Sequence, residues 1–158
     1  MNKELKFYIL FFLLIIGCGY PTLKKQPSIQ DVSGTHQLAS NEIWLSHEHI
    51  LVDFIGADSI QPNGWNHDTI MKEVLPYLEE LKEFNVKYFV DATPGYLGRD
   101  VLLLEKIASK TGMSIITNTG LYGARNNKFI PEYALEMTAE DLARMWIYEY
   151  RNGIDGTS

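Results

Sequence analysis

The chain has 158 residues, 46% hydrophobic and 22% charged, with a net charge of -6 at neutral pH, which suits one modest acidic domain able to bury a core. Lys24-Lys25 is too short a run to form an electrostatic footprint and no Lys/Arg stripe stands elsewhere, so composition excludes nucleic acid as a partner. The single cysteine, Cys18, excludes an internal disulfide.

At the N-terminus, Lys3 and Lys6 precede an unbroken apolar stretch from Phe7 to Ile16, too short to span a bilayer as a helix and of the kind found in the apolar region of a secretory signal. The stretch closes with Leu14-Ile15-Ile16-Gly17-Cys18, which resembles the lipobox of bacterial lipoproteins. That resemblance implies a signal peptide over residues 1–17, lipidation of Cys18, and a protein held to a membrane of the bacterial cell envelope by its lipid anchor. The alternative is an incidental cysteine in an apolar segment. Residues 18–40, with Pro21, Pro27, Ser28, Ser33, Gly34 and Ser40, have the weak hydrophobicity of a tether, and His36 falls within it. The folded part is expected to begin near Asn41 and to occupy 41–158.

From there, short β-rich runs alternate with segments of helical period, the pattern of an α/β fold with a parallel sheet and crossover helices. The first strand is Ile43 to Ser46. After a loop containing Pro62, Asn63 and Gly64, a helix from about Asp68 to Phe84 aligns Ile70, Val74, Leu78 and Leu81 on one face, with a kink or break expected at Pro76. The second strand, Lys87 to Asp91, is apolar enough to be buried on both faces. Its helix runs from Arg99 to Thr111, with Asp100 at the start and Gly112 as a left-handed C-terminal cap. The third strand is Ser114 to Thr117, and a third helix starts at Thr138, capped in concert with Asp141, and ends near Asn152-Gly153.

Each strand runs into a polar loop: His47-Glu48-His49, then Asp91-Ala92-Thr93-Pro94-Gly95, then Asn118-Thr119-Gly120. Loops at the C-terminal ends of parallel strands are where α/β folds place their chemistry. Alternation along a strand turns His47 and His49 to one side and Glu48 to the other, so both imidazoles can face one ion. Such a pair is equally readable as hydrogen-bonded core histidines. After His49 only His67 remains, and no cysteine follows Cys18, so the chain offers a divalent ion few of its usual ligands. Asp91 is expected to bond the amides of its own turn, Arg99-Asp100 to form an ion pair or helix start, and Glu48 to accept hydrogen bonds from its neighbours. His67 reads as an exposed helix-entry residue, and Trp146, Tyr148 and Tyr150 as packing residues.

The ordered motifs His47-Glu48-His49, Val90-Asp91-Ala92-Thr93 with Gly98-Arg99-Asp100, Thr119-Gly120-Leu121-Tyr122 and Asn152-Gly153-Ile154-Asp155-Gly156-Thr157 resemble the phosphotriesterase-related branch of the amidohydrolase superfamily over residues 42–158. The resemblance implies the N-terminal portion of a (β/α)8 TIM barrel, about three β/α units, truncated before the later strands. It also implies a metal-dependent hydrolase with two divalent ions at the barrel mouth, zinc by preference with cobalt or manganese as alternatives. His47 and His49 match the strand-one pair that holds the more buried ion. Tyr122 matches a pocket-lining position and tilts the substrate toward lactones among the lactones, phosphotriesters and related small-molecule esters of the family. The remaining ligands and every catalytic residue of the family match nothing in this chain. The alternative is an inactive half-barrel remnant or partner-binding module, whose open sheet edges favour a homo-oligomer.

Overall fold

In the computed structural model, which describes residues 26–61 and 64–157, the polypeptide opens with an antiparallel hairpin of β1 (Ser28–Asp31) and β2 (Gly34–Gln37). Within the tether expected over 18–40, of which 18–25 lie outside the described residues, residues 28–37 instead form this hairpin, because hairpin strands built almost wholly of polar residues leave no compositional trace. Their order comes from backbone pairing and from the turn, where Asp31 accepts the Ser33 N–H at 2.7 Å and Gly34 takes a φ of 121°. The turn residue Val32 joins the hydrophobic core, and its N–H donates to the Ile115 carbonyl at 2.9 Å. Asp31 accepts a hydrogen bond from Ser114 and lies 3.2 Å from the His36 ring. The expected signal peptide and Cys18 lie outside the described residues.

The second sheet is parallel, in the order β3 (Ile43–Glu48), β4 (Val86–Asp91), β5 (Ser114–Ile116). β4 is its middle strand, and Val86, Tyr88, Phe89 and Asp91 along it are all buried, as a parallel strand covered on both faces requires. Trp44 stacks on Tyr88 across the β3–β4 pair with ring centroids 4.1 Å apart. Two helices return the chain between the strands: α1 (His67–Glu83) and α2 (Val101–Thr111). α2 buries Val101, Leu103, Leu104, Ile107 and Ala108 against Phe89, Met113 and Ile115, while Ile70, Val74, Leu78 and Leu81 of α1 close the same core. Of the kink or break expected at Pro76, the break does not occur, for α1 is a single helix of 17 residues. Burial of that apolar face offsets the roughly 3 kcal/mol an interior proline costs.

Capping follows the sequence closely at α2. The Asp100 side chain accepts the Leu103 N–H at 2.9 Å, and Gly112 closes the helix at φ 69°. His67 departs from expectation. Its ring is only 15% exposed, because Nε2 meets the Asp100 carboxylate at 2.8 Å and Nδ1 meets Lys106 Nζ at 2.9 Å, so it ties the start of α1 to α2. A short α3 (Glu132–Glu136) precedes α4 (Ala139–Asn152), whose N-cap Thr138 accepts the Asp141 N–H at 3.2 Å. The packing role expected of Tyr148 and Tyr150 in α4 is corrected, for they are 67% and 73% exposed, whereas Trp146 of the same helix is partly buried and lines the strand-end cleft.

Candidate functional site

The C-terminal ends of the three parallel strands converge on one cleft of about 650 Å³, and His47, His49 and Tyr122 all line it. β3 delivers the histidines. Its register against β4 shifts between Leu45 and Glu48, a bulge of the kind that re-aims side chains at sites. His47 lies within the strand and His49 one residue beyond it, with ring centroids 5.4 Å apart at 80°. Both are exposed to the cleft. Tyr122 arrives from the loop after β5, stacks on the fully buried Phe129 at 5.7 Å and is 44% exposed.

Beneath His49 is a buried polar layer. Its Nδ1 lies 2.9 Å from Oγ1 of Thr93, a residue with no solvent exposure. Asp91, also buried, accepts the Thr93 N–H at 2.8 Å and the Ile50 N–H at 3.3 Å, which fits the turn-bonding role expected of it. Burial raises the Asp91 pKa above the usual carboxylate value, while hydrogen bonds from the Thr93 side chain and backbone and from Ile50, and then the nearby His49, act the other way. The Glu48 carbonyl accepts the Ala92 N–H at 2.8 Å, so the loops after β3 and β4 are held to each other.

A third buried group braces the β5 side. Arg99 donates to the Asn118 carbonyl at 2.9 Å and approaches Glu149 of α4 at 3.5 Å, so its ion pair forms with Glu149 and not with its neighbour Asp100. Val52, Phe54, Pro94, Leu97, Leu121 and Trp146 supply the apolar wall of the cleft. Sequence reading missed Thr93, Phe54 and Trp146 as parts of this site. The Asp-Ala-Thr turn at a strand end was a signal for Thr93, whereas Phe54 and Trp146 are brought in only by tertiary packing.

In kind, these donors fit a divalent ion: two imidazoles face one cleft, and the Nδ1 of His49 is already engaged from behind, leaving Nε2 toward the space. In number they fit only part of a ligand set. Among the described residues no group of three or more His, Cys, Asp or Glu side chains could hold a metal ion, and a catalytic zinc site takes about three protein ligands. Among the described residues, too, no helix is long and apolar enough to cross a membrane.

A model of the Phosphotriesterase family matches residues 27–158, a span that includes the N-terminal hairpin. The chain is 30% identical over 113 residues to the aryldialkylphosphatase of Saccharolobus solfataricus, covering 72% of this chain and 35% of that protein. It is 26% identical over 116 residues to a phosphotriesterase homology protein of Escherichia coli, covering 72% and 37%. A phosphotriesterase homology protein of Mycobacterium tuberculosis is 26% identical over 136 residues, covering 83% and 42%. The chain thus spans 35% to 42% of the length of these curated relatives. The crystal structure of a resiniferatoxin-binding protein from Rhodobacter sphaeroides superposes with a TM-score of 0.65 at 22% identity, over 82% of this chain and 43% of that one.

Proposed function

The chain belongs to the phosphotriesterase family, a family of metal-dependent hydrolases, and we propose that it carries the first-strand histidine pair of a binuclear site that hydrolyses a lactone, phosphotriester or related ester. The observation that carries the reading is the convergence of His47, His49 and Tyr122 on one cleft at the strand ends. In this reading His47 and His49 hold one divalent ion, zinc by preference with cobalt or manganese as substitutes. Such an ion supplies Lewis acidity and an activated water to ester hydrolysis. The chain's own part is to hold that ion's imidazoles in place, to seat the apolar portion of the ester against Phe54, Leu97 and Trp146, and to shape the pocket with Tyr122. The lipobox-like segment supports lipidation at Cys18 and attachment to the cell envelope.

A second reading draws on the incomplete ligand set. On its own residues the chain retains an ion weakly and does not turn over substrate, acting as a binding module until further ligands are supplied. One experiment separates the two. The full chain is stripped with a chelator, titrated with zinc or cobalt, and assayed on a lactone and on an aryl phosphotriester. Retained metal lost on His47→Ala or His49→Ala, with hydrolysis that chelation abolishes, supports the hydrolase. Retained metal without hydrolysis supports the module. Metal uptake that is the same in wild type and both alanine variants overturns the ligand assignment.

A further inference from the structure

The outer wall of the cleft comes from two loops that meet on one buried ring. Phe54, from the loop after β3, and Tyr122, from the loop after β5, both line the cleft and are 52% and 44% exposed. Phe129 has no solvent exposure and stands behind them. Phe54 meets its ring edge-on, with centroids 5.7 Å apart at 68°, and Tyr122 stacks on it at 5.7 Å and 27°. Both arrangements suit the quadrupole of an aromatic ring. Phe129 reaches this place because the chain doubles back after Tyr122 through Arg125, Asn126 and Asn127, all with left-handed backbone, and pairs with Tyr122 in a single antiparallel bridge. Asparagine tolerates that conformation better than most residues. Lys128 fastens the other loop. Its Nζ donates to the Phe54 carbonyl at 2.7 Å and lies 5.6 Å from the Phe129 ring centre, while its own carbonyl accepts the Ala57 N–H at 3.0 Å.

We propose that Phe129 is a positioning residue for the cleft: its buried ring, with Lys128 beside it, holds Phe54 and Tyr122 at a fixed separation and thereby sets which apolar group the cleft accepts. This rests on the ester-binding reading for what enters the cleft, whereas the placement of the two rings belongs to the chain without a ligand. The imidazoles have a support of their own, since the Nδ1 of His49 lies 2.9 Å from Oγ1 of Thr93. A change at Phe129 therefore acts on the apolar wall and leaves the histidine pair where it is.

The test is made by nuclear magnetic resonance on the metal-free full chain, with 1-naphthol titrated in as a flat apolar probe. Wild type is expected to show through-space contacts from the Phe129 ring to both Phe54 and Tyr122. In Phe129→Leu the amide order parameters of Phe54 and Tyr122 are expected to fall from about 0.85 toward 0.6, and naphthol to bind about twofold to tenfold more weakly, the range of an aromatic contact, with the His47 and His49 ring signals unmoved. Lys128→Met should loosen Phe54 alone, and Lys128→Arg, which keeps a donor, should restore it. A loosened core would disturb the imidazoles as well, so their displacement together with the wall overturns the proposal. So does a folded Phe129→Leu with the order parameters of both rim residues unchanged. Should the leucine variant not fold, Lys128→Met decides, because that side chain is exposed, and an unmoved Phe54 overturns the proposal there. Loosened rim residues in Phe129→Leu, in a chain whose wild type takes up no naphthol, uphold the positioning role while the ester-binding reading fails.

Discussion

Asp91 is a buried carboxylate whose work is local: it ends β4, bonds two backbone N–H groups and supports Thr93. Asp91→Ala strands those N–H groups in a dry turn, and the expected loss is about 1–3 kcal/mol by denaturant titration. Its pH signature has a definite sign. Because burial raises the folded pKa above the ordinary aspartate value of 3.8, the native state binds the proton more readily than the unfolded chain. Stability from this group is therefore full below that value and falls as pH rises through the window between the two pKa values, and Asp91→Asn should remove that slope. Gly98 is the other residue the site cannot easily exchange. It sits at φ +122°, and a Cβ there would lie 2.8 Å from the Leu51 carbonyl oxygen. Gly98→Ala should cost about 2 kcal/mol or more, read as a lowered Tm, and should loosen the Asp53–Leu97 backbone bond at the cleft rim.

Among the elements, α2 is tied down at its start by a single side chain. Asp100 caps the Leu103 N–H and receives His67, so Asp100→Ala is expected to cost about 1–3 kcal/mol, more than an ordinary cap, and to free α1 at its first turn. Thr138→Ala at the exposed start of α4 should cost only about 1 kcal/mol by the same thermal melt. These caps were legible in the sequence because a cap is a local device: Asp100, Gly112 and Thr138 each act within a few residues of their own position. The three parallel strands and their crossover helices were legible for a similar reason, in that periodicity reports which face of an element is wet. What escaped is what distance along the chain hides. The bulge between Leu45 and Glu48, the link from His67 to Asp100, and the contribution of Phe54 and Trp146 to the cleft all depend on partners tens of residues away. The hairpin escaped because its one apolar anchor is a turn residue, Val32, where alternation gives no warning.

For the molecule as a whole, the apolar surface is unevenly spent. Ile43 and Trp44 on the outer strand β3 are 48% and 39% exposed, and Ile147, Tyr148 and Tyr150 on α4 are more than two-fifths exposed, at 48%, 67% and 73%. Strand edges and apolar patches of this kind seek partners. The full chain is expected to self-associate with rising concentration in sedimentation velocity, and Tyr148→Ser with Tyr150→Ser to shift that transition to higher concentration. A sharp monomer over the whole range would count against the half-barrel reading. Polarity along the strand axis adds a consequence of the hairpin. Val32 and Asp31 grip Ile115 and Ser114 at the beginning of β5, whereas the cleft opens beyond its end, around Asn118 to Tyr122. Whatever lies upstream of Gln26 is thus joined to the floor of the fold. The hairpin's grip and the opening of the cleft thus lie at opposite ends of β5, so the two can be altered separately, like the foot and the rim of a cup.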